Sequence, residues 1–111
     1  MKRGWVVLTA VPGTYGKVRP ALVVQSDTVG VLDSITLCLL TSDLATDNPV
    51  RVAVEPDEQN GLRTRSHIQI DKVQTVPTDR VRAQIGTVDT DTMQKVDRAL
   101  ALHLHLYIAA P

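Results

Sequence analysis

The sequence predicts a mainly β fold, a small and strongly curved antiparallel barrel that carries one C-terminal α-helix. Over most of the chain, apolar residues either alternate with polar ones or form short unbroken runs between turn signals, which is typical of strands. Only the last part of the chain has a helical period of three to four residues. With 111 residues and 43% hydrophobic composition, residues 1–111 are expected to form a single domain around one core.

Composition restricts both the core and the possible partners. Aliphatic residues must supply the core, because the chain has no Phe, one Trp and two Tyr. The 12 basic and 12 acidic residues cancel, so only a local basic cluster would attract nucleic acid. The single Cys38 excludes an internal disulfide, and its apolar neighbours predict a buried thiol rather than a nucleophile.

The first half of the chain is expected to contain three strands. Trp5–Val11 is a β-branched run that ends at Pro12 and Gly13, where a loop begins. Pro20–Gln25 and Ile35–Leu40 are nearly unbroken apolar runs. The first run predicts a strand that is buried on both faces or a strongly curved central strand, and the second predicts a third apolar strand.

The second half begins with further strands. Val50–Glu55 alternates between apolar and polar residues, and Pro56–Arg65 is a polar loop that contains the favoured turn pair Asn60-Gly61. Alternation resumes over Ile68–Val76 and again over Val81–Ile85. The chain therefore predicts between five and seven short strands before its helix.

The helix is predicted to begin at Asp89 or Thr90, both plausible N-caps, and to run to about Ala109. Its apolar stripe consists of Met93, Val96, Leu100, Leu104 and Tyr107. His103 and His105 are two residues apart and therefore point to different sides of a helix. We assign them a structural role, in capping or dimer packing, and not a metal site.

No targeting or cofactor motif is recognisable. The apolar run Trp5–Leu8 is too short for a signal peptide, and no stretch approaches the length of a membrane span. Nucleotide-binding glycine fingerprints and zinc spacings are also lacking. The sequence predicts a cytoplasmic protein that does not bind membranes and has no recognisable cofactor motif.

Arg19 is the first candidate functional residue. Pro20 fixes its own φ and pushes Arg19 toward extended geometry, so the guanidinium leaves the first loop in a restricted direction. A permanently charged fork of five donors is suited to binding a phosphate. The alternative is a surface arginine beside a strand.

The other candidates are dispersed along the sequence. Thr41 and Ser42 end the third strand, and His67, Gln69 and Asp71 share one face of a later strand. The loop cations are Lys17, Arg63 and Arg65. Each is more often a solvated surface group than a functional one, so only their convergence in space would indicate a site.

Taken together, the motifs along the chain resemble those of the MazF/PemK-type messenger-RNA interferase toxins over nearly its whole length. The resemblance rests on five segments in order: Lys2–Leu8, Gly16–Val24, Leu40–Ser42, Asn60–Leu62 and Ser66–Thr75. It implies an SH3-like barrel, usually a homodimer, that cleaves single-stranded RNA at short sequences without metal. It also implies a cognate antitoxin partner with a disordered, acidic tail.

The resemblance further implies cleavage to a 2′,3′-cyclic phosphate and a 5′-hydroxyl, and it maps the family's functional arginine and threonine to Arg19 and Thr41. Arg19 suits stabilisation of phosphorane charge but is a poor proton acceptor. Among the carboxylates, Asp71 is the best candidate for the general base. Its alternative role is an ion pair with Arg19 or Lys72. The expected RNA-binding residues are Lys17, Ser42, Arg65 and Gln69.

Two other functions remain open at the level of sequence. The first is a non-catalytic module of the same fold that binds nucleic acid or protein. It is motivated by Trp5, which stands where the family usually has an acidic residue, and by a first loop without a carboxylate. The second is a poison of a DNA-processing enzyme, against which the Arg19 and Thr41 motifs argue.

Overall fold

The computed structural model describes residues 1–12, 17–30 and 32–107. Part of the first loop, including the expected motif residue Gly16, therefore lies outside the described residues. Within the described ranges the chain forms six strands, a short 3₁₀ turn at Thr78–Arg80 and one α-helix. The strands are β1 Trp5–Ala10, β2 Val18–Val23, β3 Ser34–Thr41, β4 Val52–Val54, β5 Ser66–Pro77 and β6 Val81–Thr87, and the helix α1 is Thr90–Leu104.

All six strands belong to one sheet in the order β4-β5-β3-β2-β1-β6, and neighbours are antiparallel. The predicted mainly β fold with a C-terminal helix is thus confirmed. Strands β1 to β3 form a meander, whose antiparallel neighbours need only loop connections. The extended region that follows the Asn60-Gly61 turn is a single strand of 12 residues.

The sheet curls until its two edges meet. The amide of Thr87, at the end of β6, donates to the carbonyl of Gln59 in the loop between β4 and β5, at 2.9 Å. Gly86 lies against this loop so closely that a Cβ atom would be 2.3 Å from the Gln59 carbonyl oxygen. Only a residue without a side chain fits such an approach. This contact between the edges produces the barrel-like shape.

Alternate residues of the strands supply two apolar clusters. The first, which we call the helix-side cluster, includes Val6, Leu22, Leu40, Ile68 and the helix residue Val96. The second cluster lies on the opposite face of the strands and is formed by Val7, Ala21, Val23, Ile35, Leu37, Leu39 and Val76. The predicted burial of Cys38 is confirmed, and burial raises the pKa of its thiol to about 12, with a smaller contribution from the charge of Asp71.

The helix begins as predicted and ends earlier than predicted. The carboxylate of Asp89 accepts a hydrogen bond from the amide of Thr92 at 2.8 Å, which makes Asp89 the N-cap. The last helical residue is Leu104, because His105 adopts a left-handed conformation with φ of 55°. The expected end at Ala109 lies outside the described residues. In the part of the chain that the structure describes, no helix is long and apolar enough to cross a membrane.

Candidate functional site

A cleft of about 500 Å³ opens on the helix side of the sheet, between the start of β2, the end of β3 and the loop that precedes β5. Its apolar wall includes Leu8, Val18, Pro20, Leu40, Leu62 and Ile85. Its polar lining consists of Arg19, Ser42, Arg63, Thr64 and Ser66. An apolar cleft with a few hydroxyl and cationic groups at its margin is a common form of ligand site.

Pro20 explains why the strands part at this point. The register between β2 and β3 runs from Val23↔Leu37 to Ala21↔Leu39, and Pro20 is the next residue. A proline has no N–H to donate, so it cannot complete a ladder on both sides of its strand. Pro20 still pairs in register with Leu8 of β1. The strand thus stays attached to β1 while its contact with β3 opens into the cleft.

Arg19, Thr41 and His67 define a polar row across three neighbouring strands. Thr41 is the register partner of His67. Arg19 and Thr41 each lie two residues beyond the last β2–β3 pair, Ala21↔Leu39, where the two strands have parted. By strand alternation the Cβ atoms of Arg19, Thr41 and His67 lie on the face of Ala21 and Leu39, and the side chain of Arg19 also reaches the lining of the cleft.

The hydroxyl of Thr41 is held by the following loop. Its Oγ1 accepts a hydrogen bond from the amide of Asp43 at 3.1 Å. This bond uses one lone pair of the oxygen, and the O–H group can still donate to a ligand. Thr41 is thus oriented by the backbone at the middle of the row.

His67 has an unusual hydrogen-bonding state. The side chain is half-buried, and its Nδ1 atom is buried without a hydrogen-bond partner among the described residues. A buried polar atom without a partner costs about 1–3 kcal/mol and calls for an explanation. Functional sites are one place where such atoms occur.

Asp71 forms a two-point ion pair with Arg51. The Arg51 Nε and one terminal nitrogen donate to the two carboxylate oxygens, at 3.1 and 3.3 Å. These hydrogen bonds hold the pKa of the Asp71 carboxyl below its usual range, against a smaller opposing effect of burial. The predicted alternatives were Arg19 and Lys72, so the ion-pair role is present but with a different cation.

A bulge in β5 brings Asp71 to this position. The register passes from Leu40↔Ile68 to Cys38↔Val73, so the segment between Ile68 and Val73 bulges away from β3. On the other side, β4 pairs with β5 through Val52↔Ile68, and Arg51 comes immediately before that pair. Asp71 is thereby aimed toward the residue before β4 and not toward β2.

The predicted RNA-binding residues fall into different surroundings. Ser42 lines the cleft, on the other side of the sheet from Thr41. Gln69 is buried on the same face as His67, and continuing the β4–β5 register brings it opposite Arg51. Arg65 forms an exposed ion pair with Glu55 at 2.8 Å. Lys17 is exposed immediately before β2.

The structure thus pairs Thr41 with His67, places Arg19 in the lining of the adjoining cleft, and leaves Gln69 on the face of His67 and Asp71 within the bulge of β5. Arg51 is the residue that the sequence analysis missed. Its position in an alternating strand suggested only a solvated side chain, and its link to Asp71 depends on a register that spacing does not reveal. Arg63 was named only as a loop cation without a role, and the apolar wall of the cleft was not predicted.

The fold and these surfaces define a class: a small, curled antiparallel sheet whose arginine–proline strand start faces a strand-end threonine. Residues 2–104 match the sequence model of the PemK-like, MazF-like toxins of type II toxin–antitoxin systems. The chain is 39% identical over 107 residues to the probable endoribonuclease MazF of Mycolicibacterium smegmatis, with 94% of this chain and 96% of that protein covered. It therefore belongs to the PemK/MazF-like toxin family.

Solved structures agree with this fold. The toxin MazF-mt6 of Mycobacterium tuberculosis superposes with a TM-score of 0.79 at 22% identity, covering 93% of this chain and 98% of that one. A mycobacterial endoribonuclease in complex with its cognate antitoxin gives 0.77 at 24% identity, with 98% and 97% covered. The predicted family resemblance and fold class are confirmed.

Proposed function

We propose that the chain is a metal-independent endoribonuclease toxin that cleaves single-stranded messenger RNA to 2′,3′-cyclic phosphate and 5′-hydroxyl ends. The observation that carries the proposal is the cleft at the point where β2 and β3 part, which has Arg19 in its lining and Thr41 at the adjoining end of β3. Membership of a family whose relatives are described as endoribonucleases supports the same activity.

Arg19, Thr41 and Asp71 each have a role in this reaction. The guanidinium of Arg19 binds two non-bridging oxygens of the scissile phosphate and stabilises the charge that develops on the phosphorane. Thr41 donates its hydroxyl hydrogen to the same phosphate and keeps it at the middle of the row. Asp71 holds Arg51 in place, so that a second guanidinium stands near the path of the RNA backbone.

The RNA is bound on both sides of the parted strands. Ser42 offers a hydroxyl inside the cleft, where the apolar wall can receive one unstacked base. Gln69 offers an amide to a base or sugar on the face of the polar row. Lys17 and Arg65 bind backbone phosphates, and Arg65 does so by exchanging Glu55 for a phosphate oxygen.

The partners follow the family pattern. The chain pairs with a second copy through strand edges and the end of α1, where Leu102, Leu104, Leu106 and Tyr107 are exposed. A cognate antitoxin with a disordered acidic tail competes with RNA for Arg19. We expect both partners to be met in the cytoplasm, where the RNA substrate is.

The test is cleavage of a mixed RNA in the presence of EDTA, comparing wild type with Arg19→Ala. We expect cyclic-phosphate ends with wild type and a rate at least about 100-fold lower with the variant, because a donor to the transition state is lost. Arg82→Ala, which removes an exposed arginine of β6, is the matched control and should keep the wild-type rate. Intact RNA with wild type, or equal rates for both proteins, would overturn the proposal.

A further inference from the structure

The proposed reaction needs a group that removes the proton of the attacking 2′-hydroxyl. Arg19 remains protonated at any relevant pH and cannot be that group. Asp71 is engaged at both carboxylate oxygens by Arg51, which favours its charged form and weakens it as a proton acceptor. Thr41 is an alcohol and is no better a base than the 2′-hydroxyl itself. The proton acceptor must therefore come from elsewhere on this face.

His67 is the remaining group of the polar row, and a neutral imidazole has a nitrogen lone pair that can accept a proton. It is the register partner of Thr41, so the two Cβ atoms are about 5 Å apart on one face. Arg19 stands on the other side of Thr41. A phosphate held over Thr41 therefore has Arg19 on its β2 side and the imidazole of His67 on its β5 side, where a base can reach the 2′-hydroxyl.

The hydrogen bonds around His67 favour a functional role. Structural histidines usually have both ring nitrogens satisfied by protein or water, whereas Nδ1 of His67 is buried without a partner among the described residues. This unpartnered nitrogen lowers the stability of the fold, and replacement of His67 by an apolar side chain would remove that loss.

The groups that face His67 on neighbouring elements leave room for a substrate. Thr41 flanks it on β3, and Ala53, its register partner on β4, has only a methyl group. Along β5 the next residue on the same face is Gln69, which is neutral. Of the charged residues nearby, Arg51 is paired with Asp71, and the carboxylate of Asp43, which follows Thr41, accepts a hydrogen bond from the amide of Ala45 at 3.0 Å.

We propose that His67 is a catalytic residue and that its imidazole accepts the 2′-hydroxyl proton, an assignment that rests on the proposed ribonuclease function. The 2′-oxygen then forms a bond to phosphorus while the bond from phosphorus to the 5′-oxygen breaks. The electron pair of that bond stays on the 5′-oxygen, which takes a proton from water. The resulting hydroxide removes the proton from the imidazolium and restores neutral His67.

The experiment uses purified full-length protein and a short RNA that contains one cleavage site. His67→Ala and His67→Gln are compared with wild type for kcat, and for affinity toward the same oligonucleotide with a 2′-deoxy sugar at the scissile position. We expect kcat to fall about 100- to 10,000-fold in both variants, with unchanged affinity for the uncleavable analogue. Added imidazole should restore part of the activity of His67→Ala. Gln94→Ala, on the exposed side of the first half of α1, is the control and should keep full activity.

The outcomes separate this inference from the function on which it rests. If wild type cleaves and His67→Gln cleaves at a similar rate, His67 is not the base, although the protein is still a ribonuclease. Loss of affinity together with kcat, without rescue by imidazole, would show a structural role and would also overturn the inference. If wild type leaves RNA intact while it binds the analogue, the proposed ribonuclease function fails, and the catalytic role of His67 fails with it.

Discussion

The two faces of the sheet are made by the same strands, but their side chains differ near the point where β2 and β3 part. On the helix side, alternate residues remain apolar up to the cleft, where Leu8, Pro20 and Leu40 form its wall. On the opposite face, the apolar cluster ends at Ala21 and Leu39, and the next position along each strand is Arg19 or Thr41.

This difference shows how a small protein acquires a site without losing its core. A β-strand carries two independent rows of side chains, so one row can stay apolar for packing while the other becomes polar at its end. The neighbours Ile68 and His67 on β5 show the contrast within two residues: Ile68 is fully buried in the helix-side cluster, and His67 belongs to the polar row.

The largest expected effect compares these two neighbours. Ile68→Ala should lower the free energy of unfolding by about 2–5 kcal/mol, because it leaves a cavity in a closed core. His67→Ala should change it by about 1 kcal/mol or less, because the polar row is not a packing element and an unpartnered nitrogen is removed. Urea denaturation of both variants measures the difference. Similar losses would mean that the polar row carries as much of the fold as the core does.

A smaller effect separates the two ion pairs that stand at the ends of β4. Arg51 and Asp71 are 15% and 21% exposed, whereas Arg65 and Glu55 are 55% and 70% exposed. Arg51→Ala should therefore cost about 1–3 kcal/mol, because it leaves a half-buried carboxylate without its two donors. Arg65→Ala should cost about 0.5 kcal/mol or less, as exposed pairs do.

Thermal unfolding of the two arginine variants at low ionic strength checks this order. Added salt should reduce the small effect of Arg65→Ala further, since exposed charges are screened, and should change that of Arg51→Ala less. An equal loss of unfolding free energy for both variants would contradict the view that Asp71 and Arg51 form a structural part of the site.

The fold was largely predictable from the sequence because alternation and turn residues act locally. The half-buried strand around Val52–Val54, the Asn60-Gly61 turn and the N-cap Asp89 all follow from neighbours a few positions away. The end of α1 was not predictable, because apolar spacing continues past Leu104 to Tyr107. The left-handed conformation of His105 ends the helix without a glycine signal.

The site was predictable in part. The motif residues Arg19 and Thr41 could be named from resemblance, but their shared face depends on the register between β2 and β3. The partner of Asp71 depends on the bulge in β5, which moves a carboxylate toward Arg51. The buried nitrogen of His67 is a property of packing from three strands and has no local sequence signal.

The smallest expected effect is the pH dependence of the Arg51–Asp71 pair. Hydrogen bonds from Arg51 lower the pKa of Asp71 in the folded state, so their contribution to stability is complete above the unfolded value of about 3.9 and is lost as pH falls through the folded value. The stability difference between wild type and Arg51→Ala should thus be constant from neutral pH down to about pH 5 and should narrow at more acidic pH. Urea denaturation at a series of pH values measures it, with Arg65→Ala as the control. A stability difference that stays constant to pH 2.5, roughly the acid limit at which most carboxylates are protonated, would mean that Arg51 does not stabilise the charged form of Asp71. In that case the pair would be a contact between two side chains without an electrostatic contribution, and Asp71 would again be available as a proton acceptor in place of His67.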